Sequence, residues 1–260
     1  MKIGLVSLEQ VWEKKLSNLI VCENYFKLAR KNDIKLIIFP EMTLTGFSTN
    51  VIEIAEESTS SSSISEFKRL ASNYKISCIF GVVRSKNGKY FNDSVYIDEN
   101  GTVKGEYSKI HPFSFSGEDK YYAAGERICV VEDCGLSIGL TICYDLRFPE
   151  LFTALAKNCD MIVNIANWPK RRVEHWKALI KARAIESQVF VAGVNRIGVD
   201  GNNLEYVESS SIFNADGVEL DYIHINNMKI ATVDKNWTKE FKSKFLTVKD
   251  RNISLYKEII

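Results

Sequence analysis

The sequence predicts an α/β fold in which two β-sheets lie between layers of helices. Short apolar segments typical of strands alternate with segments of helical periodicity, which indicates strand–helix units. The pairs Asn100-Gly101 and Asp216-Gly217 are turn signals between further strand-like segments and indicate β-hairpins. A chain that mixes both kinds of connection is expected to cover its sheets with helices on their outer faces.

The individual strands follow from apolar runs and from alternation of apolar and polar residues. The run 34–39 is apolar apart from Lys35, 102–107 alternates, and 136–142 is an apolar run, interrupted only by small or hydroxyl residues, that stops at a cysteine. On these criteria the predicted strands are 2–7, 35–39, 77–84, 91–98, 102–107, 127–131, 136–142, 160–165, 189–195, 207–213, 217–222 and 228–234.

Helical periodicity predicts the remaining regular elements, at about 13–32, 65–75, 149–158 and 172–187. Pro149 is placed to open the third of these helices. Four residues of the last helix fall on one face and predict core packing, namely Trp176, Leu179, Ile180 and Ala184. The serine run 58–65 is predicted to be a loop without a catalytic role. The other interpretation is a lead-in whose last serine caps the next helix.

Composition predicts a single domain over residues 1–260. The chain has 45% apolar residues, enough for a substantial core, and no Pro- or Gly-rich linker divides it. The segment 236–260 carries aromatic residues among lysines. We expect that segment to pack on the body of the domain or on a partner subunit.

Charge and hydropathy exclude several classes of partner. The formal net charge is +1, and the short basic run Lys170-Arg171-Arg172 is too small for a nucleic-acid footprint. The apolar runs are far shorter than a membrane span, and Met1 leads directly into a strand without a signal-like segment. We therefore expect a cytoplasmic protein that binds neither nucleic acid nor membrane.

Most of the six cysteines lie within or beside apolar strands, which is typical of reduced, buried thiols in a cytosolic protein. Cys129 and Cys134 are five positions apart, but neither a second pair nor a nearby histidine completes a zinc set. No metal or other cofactor is expected. A papain-like pair of a cysteine with His111 or His175 is formally possible, although the local sequence of that family is absent.

Cys143 is the first candidate for chemistry, in the string LTICYDLRFPE. Its sulfur is predicted at the carboxyl end of a strand, in a tight turn that leads into a helix. The partial positive charge of a helix start favours the thiolate there. The other interpretation is that Cys143 is a small buried apolar residue, as free cysteines usually are.

Glu41 and Lys109 also follow predicted strands. Glu41 stands in FPEMTLTGF, where it either caps a neighbouring amide or, in a half-buried cleft, acts as a general base. Lys109 stands in YSKIHPFSFSGEDKYYAAGE, where it is either solvated or a fixed cation that stabilises an oxyanion. Glu118, in the same loop, is placed to hold the ammonium.

A glutamate, a lysine and a cysteine, each at a strand end, are sufficient for amide hydrolysis. The base removes the thiol proton, the thiolate attacks the carbonyl, and the lysine with a backbone amide stabilises the tetrahedral intermediate. Together with the surrounding strings, this order resembles the nitrilase superfamily of carbon–nitrogen hydrolases. The strings CYDLRFPE, IANWPKRRVEHWKALIKARAIESQVFVAGVNRIGVDGN and SSIFNADGVEL resemble its omega-amidase branch, and the resemblance covers nearly the whole chain.

The resemblance implies a four-layer α-β-β-α sandwich whose protomers pair as a homodimer. It also implies an enzyme that hydrolyses 2-oxoglutaramate or 2-oxosuccinamate through a cysteine thioester, with a link to methionine salvage. The implied roles are Glu41 as base, Lys109 as oxyanion cation and Cys143 as nucleophile. Glu118 positions the lysine or assists water, and the backbone N–H of Tyr144 is the second oxyanion donor.

The predicted strand 160–165 ends near Asn167-Trp168-Pro169, which supplies a third strand-end loop to the site. We expect Arg172 to bind a substrate carboxylate in a two-pronged contact, with Trp168 and Asn167 in the pocket wall. The other interpretation of Arg172 is a solvated residue at a helix start. Arg147 is expected to pair with Asp145 or Glu150.

Two alternatives to the omega-amidase function stay open from the sequence. One is a different amide or carbamoyl substrate for the same chemistry, because pocket size cannot be read from the sequence. The other is a non-enzymatic binding or assembly protein on the same fold. The complete set of Glu41, Lys109 and Cys143 argues against the latter, because binding alone does not require all three.

Overall fold

The computed structural model describes residues 1–259, and its strands are short and numerous, as the sequence predicts. In chain order they are β1 (Lys2–Val6), β2 (Leu36–Ile38), β3 (Glu56–Glu57), β4 (Ser77–Lys86), β5 (Lys89–Ile97), β6 (Val103–Ser108), β7 (Val130–Asp133), β8 (Leu136–Ile142), β9 (Met161–Ala166), β10 (Phe190–Asn195), β11 (Gly198–Val199), β12 (Glu205–Tyr206), β13 (Ser211–Phe213), β14 (Ile223–Ile225) and β15 (Met228–Thr232).

These strands form two large sheets and one small ribbon. The first is an eight-stranded sheet in the order β14-β15-β1-β2-β4-β5-β6, with β3 paired to β4. The second is a five-stranded sheet in the order β13-β10-β9-β8-β7. Strands β11 and β12 pair separately as a two-stranded ribbon. Both sheets combine parallel and antiparallel pairs, as the mixture of strand–helix units and hairpins predicts.

The four predicted helices are confirmed, with ends that differ from the prediction by up to three residues. They are α1 (Lys15–Lys31), α3 (Ser62–Tyr74), α4 (Pro149–Leu155) and α5 (Val173–Ser187), and the sequence missed α2 (Val51–Ile54), α6 (Trp237–Lys244) and α7 (Ile253–Ile259). No helix within residues 1–259 combines the length and the apolar character needed to cross a lipid bilayer.

Three clusters of buried side chains define four layers. The central cluster lies between the sheets and includes Ile38 of β2 and Leu140 of β8. A second cluster joins α1 and α3 to the outer face of the first sheet, and a third joins α4 and α5 to the outer face of the second. Because side chains alternate along each strand, each sheet has one face toward the other sheet and one face toward the helices. The α-β-β-α sandwich is therefore confirmed.

The direction of the strands brings four loops to one place. Strands β8 and β9 are parallel, so the loops that carry Cys143 and Asn167 leave the same edge of the second sheet. Strands β2 and β6 also run in one direction, because β2 is parallel to β4 and two antiparallel pairs follow. Glu41 and Lys109 therefore leave a common edge of the first sheet, opposite the other two residues.

The predicted strand 217–222 is wrong, and 207–213 forms a strand only over β13. After Phe213 the side chain of Asn214 accepts hydrogen bonds from the N–H groups of Asp216 and Val218, each at 3.0 Å. These backbone N–H groups therefore bond within the turn and are not available for hydrogen bonds to a neighbouring β-strand. Pairing is reduced to an isolated bridge between Phe213 and Glu219, and the next strand begins only at residue 223.

The predicted loop over 58–65 is also wrong in its second half, where α3 begins at Ser62. The capping residue is Ser61, whose hydroxyl accepts from the N–H of Ile64 at 3.1 Å. The buried carboxylate of Glu56 accepts from the N–H of Ser63 at 2.9 Å. The run is therefore a helix start stabilised by serine and glutamate, because each satisfies N–H groups that lack helical acceptors.

The described part of the C-terminal segment contacts the body of the domain. The ring of Trp237 lies 5.4 Å from that of Phe190, and Gln188 donates to the backbone oxygen of Phe245 at 2.7 Å. Arg251 donates to the hydroxyl of Thr153 at 2.8 Å. Additional coverage of this segment by a partner subunit stays a prediction.

Candidate active site

A buried cation between two buried carboxylates lies where the strand-end loops meet. The ammonium of Lys109 is 3.1 Å from Oε1 of Glu41 and 3.0 and 2.8 Å from the two oxygens of Glu118. The side chains of all three residues are at most 2% exposed. The structure therefore brings together Glu41, Lys109 and Glu118, three of the residues that the sequence singled out.

Glu41 is held in place by the turn that follows β2. Gly81 of β4 packs directly under this turn, and a Cβ at Gly81 would lie 2.2 Å from the backbone nitrogen of Met42. The N–H of Gly81 also donates to the hydroxyl of Thr43 at 2.9 Å. A side chain larger than hydrogen at position 81 would push the turn, and with it the carboxylate, away from the site.

Two asparagines complete the hydrogen bonding of Glu41. Asn92 on β5 donates from Nδ2 to Oε1 of Glu41 at 2.7 Å and to Oε1 of Glu118 at 3.0 Å. Asn167 donates its backbone N–H to Oε2 of Glu41 at 2.8 Å. Its side-chain amide also donates to the backbone oxygen of Glu41 at 2.6 Å. Donors from both sheets thus hold the carboxylate in one orientation.

Cys143 begins a 3₁₀ turn directly after β8 and has a φ of +47°, which is unusual for a residue with a side chain. Asp145 stabilises this turn, because its Oδ2 accepts from the N–H of Ile142 at 2.9 Å and from the hydroxyl of Tyr107 at 2.7 Å. Its Oδ1 accepts from His111, at 2.8 Å from Nδ1. The strand-to-helix turn predicted for Cys143 is confirmed.

The thiol of Cys143 is protonated at neutral pH in this environment. Burial, followed by repulsion from Glu41, raises the pKa of Cys143 well above its ordinary value, and attraction to Lys109 offsets only part of the increase. The sequence-based expectation of a stabilised thiolate is therefore wrong. The partial charge of one short helix start is smaller than the desolvation of a buried thiolate next to carboxylates. The thiol needs a base to ionise.

Lys109 stays charged across the neutral range. Burial by itself lowers the pKa of Lys109, but attraction to Glu118 and Glu41 outweighs it and raises the pKa well above the ordinary value. A raised folded-state pKa means that the ammonium stabilises the fold fully below the ordinary lysine pKa. That stabilisation is lost only as the pH rises through the higher folded value.

A pocket of about 180 Å³ opens above Cys143 and Lys109. Trp168 forms part of its wall, and the indole N–H donates to the backbone oxygen of Arg172 at 2.8 Å. The guanidinium of Arg172 lies 5.3 Å from the centre of the Phe113 ring. The full lining is Phe47, Lys109, Phe113, Phe115, Ser116, Cys143, Tyr144, Arg147, Asn167, Trp168, Pro169, Arg171, Arg172, Leu204 and Tyr206.

Arg147 lies in the pocket wall, and the expected ion pair with Asp145 or Glu150 is wrong. Its guanidinium lies 4.9 Å from the ring centre of Trp168 and 5.8 Å from that of Tyr144. Asp145 is turned inward, where backbone N–H groups and His111 satisfy its oxygens. Aromatic faces therefore hold the Arg147 cation, and one of its guanidinium nitrogens lies 3.4 Å from Nδ1 of His175.

The pocket is cationic. Arg147, Arg171 and Arg172 line it, and within residues 1–259 none of the three forms an ion pair with a carboxylate. Burial, followed by repulsion from Arg171, lowers the pKa of Arg172. An anionic group in the pocket would relieve this repulsion. The arrangement is therefore suited to a small molecule with a carboxylate.

Tyr144 is the second residue of the 3₁₀ turn and also lines the pocket. The first N–H groups of a helix have no acceptor inside the helix, and donation by this N–H to a bound oxygen stays a prediction. In the part of the chain that the structure describes, no group of three His, Cys, Asp or Glu side chains is arranged to hold a metal ion.

The geometry does not favour a papain-like pair. Nδ1 of His111 lies 2.8 Å from Asp145, and Nδ1 of His175 lies 3.4 Å from Arg147. The thiol of Cys143 instead lies 3.9 Å from the backbone oxygen of Asn167 and close enough to Glu41 for repulsion by that carboxylate to raise the pKa of the thiol.

Asn92 and Tyr206 are site residues that were not predicted from the sequence, and Arg147 lies in a different place from the one predicted. Tyr206 lines the pocket from the β11–β12 ribbon, 4.6 Å below the buried guanidinium of Arg196. One signal for Asn92 was available, since Asn92, Asp93 and Ser94 are consecutive polar residues inside a predicted strand. Polar side chains in a buried strand need buried partners.

We expect iodoacetamide to alkylate Cys143 faster than the two other partly exposed thiols, Cys129 and Cys134. Burial raises the pKa of both, that of Cys134 to about 11, and neither lines the pocket, although Sγ of Cys134 lies 3.5 Å from the carboxylate of Asp133. At Cys143 a carboxylate accepts the thiol proton as the carbon–sulfur bond forms and iodide leaves. Peptide mass spectrometry over time measures the three rates. Equal rates would contradict a privileged thiol.

Known proteins that resemble this chain agree with the geometry. The family profile described as carbon-nitrogen hydrolase matches residues 2–237. The chain is 33% identical over 242 residues to a protein of Staphylococcus aureus named hydrolase in agr operon, covering 91% of each. It is 35% identical over 219 residues to an omega-amidase of Yersinia enterocolitica, covering 84% of this chain and 82% of the relative.

A solved structure agrees as well. A CN-hydrolase superfamily protein from Xanthomonas campestris, which carries an arsenic adduct in its active site, superposes with a TM-score of 0.85 at 29% identity and covers 97% of each chain. The profile spans most of the sequence, and the resemblance to the omega-amidase branch is confirmed. The chain therefore belongs to the carbon-nitrogen hydrolase family of the nitrilase superfamily.

Proposed function

We propose that this carbon-nitrogen hydrolase is an omega-amidase that releases ammonia from the terminal amide of a small keto-acid amide, such as 2-oxoglutaramate or 2-oxosuccinamate. The observation that carries the proposal is the cationic pocket above Cys143, whose arginines have no carboxylate partner within residues 1–259. A substrate carboxylate fits this charge. A substrate amide then extends toward the thiol, which lies beside the buried charges of Lys109 and Glu41.

In the first half-reaction Glu41 takes the proton of the Cys143 thiol, and the sulfur attacks the amide carbon. The carbonyl electron pair moves to oxygen, which Lys109 and the N–H of Tyr144 stabilise. An ammonium has three N–H donors, so Lys109 can serve both carboxylates and still donate to the oxyanion. The carbon–nitrogen bond then breaks, the nitrogen takes the proton from Glu41, and ammonia leaves a thioester on Cys143.

In the second half-reaction water replaces ammonia. Glu41 takes a proton from the water while its oxygen attacks the thioester carbon. The carbon–sulfur bond breaks, and the sulfur recovers the proton from Glu41. Glu118 holds Lys109 in place throughout, as its two contacts with the ammonium support, and assistance to the water is the alternative role. One amide and one water give one carboxylic acid and one ammonia, and no cofactor enters the balance.

The test is ammonia release from 2-oxoglutaramate, with glutamine and a simple nitrile measured alongside. We expect turnover of the keto-amide and much slower turnover of glutamine, because its α-ammonium meets a pocket of like charge. Turnover of none of the three by folded protein would contradict the proposal. It would direct the search to other amides and to carbamoyl compounds, which the same chemistry accommodates.

Replacing Arg172 by alanine is expected to raise the KM for 2-oxoglutaramate about 10- to 100-fold with a smaller change in kcat, since one charge-assisted contact is removed. Lys170→Ala is the matched control, because Lys170 belongs to the same turn but pairs with Glu205 outside the pocket. Steady-state kinetics of both variants measure the effect. An unchanged KM in Arg172→Ala would contradict this assignment.

The resemblance to omega-amidases also supports three wider proposals. These are a homodimeric assembly, a cytoplasmic location and a place in methionine salvage.

A further inference from the structure

Asn92 is a buried polar residue that the mechanism above does not use. It lies on β5, is 1% exposed, and its amide nitrogen bridges Glu41 at 2.7 Å and Glu118 at 3.0 Å. Its backbone oxygen accepts from the N–H of Lys109 at 2.9 Å. One residue thus contacts every member of the buried charge cluster. Its Oδ1 has no hydrogen-bond partner within residues 1–259, so its amide nitrogen makes the only side-chain bonds.

We propose that Asn92 is a positioning residue that gives the two oxygens of Glu41 different tasks: Oε1 is held as an acceptor, and Oε2 exchanges the proton with Cys143. The proposal rests on the proposed function, because it concerns how the same base works.

The two oxygens of the Glu41 carboxylate accept different numbers of hydrogen bonds. Each oxygen of a carboxylate has two acceptor sites. Those of Oε1 are occupied by Asn92 at 2.7 Å and by Lys109 at 3.1 Å. Oε2 accepts one hydrogen bond, from the N–H of Asn167 at 2.8 Å. Among the described contacts, Oε2 therefore has the free site that can receive the thiol proton.

The neutral amide suits this position because of the local charge. One ammonium, on Lys109, lies between two carboxylates, and a second cation would bind both of them in competition with it. An asparagine amide supplies two N–H donors without adding a charge. It stabilises both ionised carboxylates while leaving Lys109 free to respond to the oxyanion.

The ionisable groups that face Glu41 determine how the pH dependence of activity is interpreted. They are Lys109 from the end of β6, Glu118 from the following loop, Cys143 from the end of β8, and Tyr122. Burial raises the pKa of Tyr122 far above neutral, so Tyr122 stays uncharged. The acid limb is the part of the plot of kcat/KM against pH in which activity falls as the pH is lowered. A shift of this limb therefore reports a change in protonation of the buried carboxylates.

The test is the pH dependence of kcat/KM for Asn92→Leu, which keeps the approximate volume and removes both donors. A donor to an ionised carboxylate favours the ionised form, so its loss should move the acid limb to higher pH by about 1–2 units. Asn164→Leu is the matched control, because Asn164 is a buried strand asparagine that donates to the hydroxyl of Thr141 at 3.0 Å. Its acid limb should stay at the wild-type pH.

A second readout separates failure of this inference from failure of the proposed function. The rate at which iodoacetamide alkylates Cys143 is measured against pH, which requires no substrate. The same shift should appear there in Asn92→Leu. If wild-type protein turns over no keto-amide but the shift appears, the substrate assignment fails and the inference stands.

The inference is overturned if Asn92→Leu keeps the wild-type acid limb, or if Asn164→Leu shifts it equally. Asn92→Asp carries the test if the leucine variant does not fold, since the aspartate has the same shape. It replaces a donor by a carboxylate, so its acid limb should move to higher pH at least as far. An unchanged limb in a folded Asn92→Asp would also overturn the inference.

Discussion

Replacing Cys143 by alanine is expected to lower turnover of 2-oxoglutaramate by about 10⁴-fold or more, a loss typical of deleting a catalytic nucleophile. The carbon–sulfur bond of the thioester cannot form in this variant. The fold should survive, because the change removes one atom at a pocket wall rather than in a sealed core. Ammonia release and thermal unfolding, measured on the same preparation, separate the two effects.

Cys129→Ala is the matched control for this prediction. Cys129 is also partly buried, and burial raises the pKa of its thiol, but it lies outside the pocket. That variant should retain wild-type turnover. Intact-protein mass spectrometry of wild-type protein during turnover should detect an acyl adduct that Cys143→Ala lacks. Substantial activity in Cys143→Ala would exclude the thioester mechanism.

Replacing Lys109 by methionine is expected to have the largest effect on stability. The ammonium is within 3.1 Å of both buried carboxylates, and its loss leaves them without a cation. Removing one partner of a buried ion pair typically destabilises a protein by about 3–5 kcal/mol. Turnover should also fall below detection, because the oxyanion loses its charged donor.

The pH dependence of unfolding tests the cause of this effect. The deficit of Lys109→Met relative to wild type should be large at neutral pH. It should shrink as the pH is lowered, because protonation removes the unpaired negative charges. Lys104→Met is the control, since Lys104 lies on β6, the strand that Lys109 follows, but is exposed to solvent. A Lys109→Met variant as stable as wild type at neutral pH would show that the two carboxylates are not both ionised there.

Regular elements were predictable where a local pattern determines them. Strand β8 has the predicted bounds 136–142, because every second residue from Leu136 to Ile142 is leucine or isoleucine and these side chains all pack in the central core. Helix α5 begins and ends within one residue of the prediction, and Trp176, Ile180 and Ala184 are fully buried as expected. The hairpin near residue 216 was predicted less well. There the side chain of Asn214 accepts a hydrogen bond from the N–H of Val218 within the turn. The pattern of apolar and polar residues does not reveal side-chain hydrogen bonds of this kind.

The reactive residues of the candidate site were predictable from the sequence, but the contacts between its side chains were not. Residue type and strand-end position are local, so Glu41, Lys109 and Cys143 could be selected from the sequence. Arg147 was assigned to the wrong partner, because proximity along the chain favoured Asp145. The structure instead places its guanidinium over Trp168, from a different strand-end loop.

The sequence by itself determined which reactive groups this protein has and that each follows a strand. Only the tertiary structure decided that Asn92 bridges the two carboxylates, that Cys143 is held as a thiol, and that three arginines converge on one pocket. The bonds to Glu41 join positions 51 and 126 residues apart, from β5 and from the far sheet. Such contacts depend on how the sheets pair and face one another. The resulting pKa shifts depend on how deeply each group is buried, and a local sequence pattern does not determine that burial.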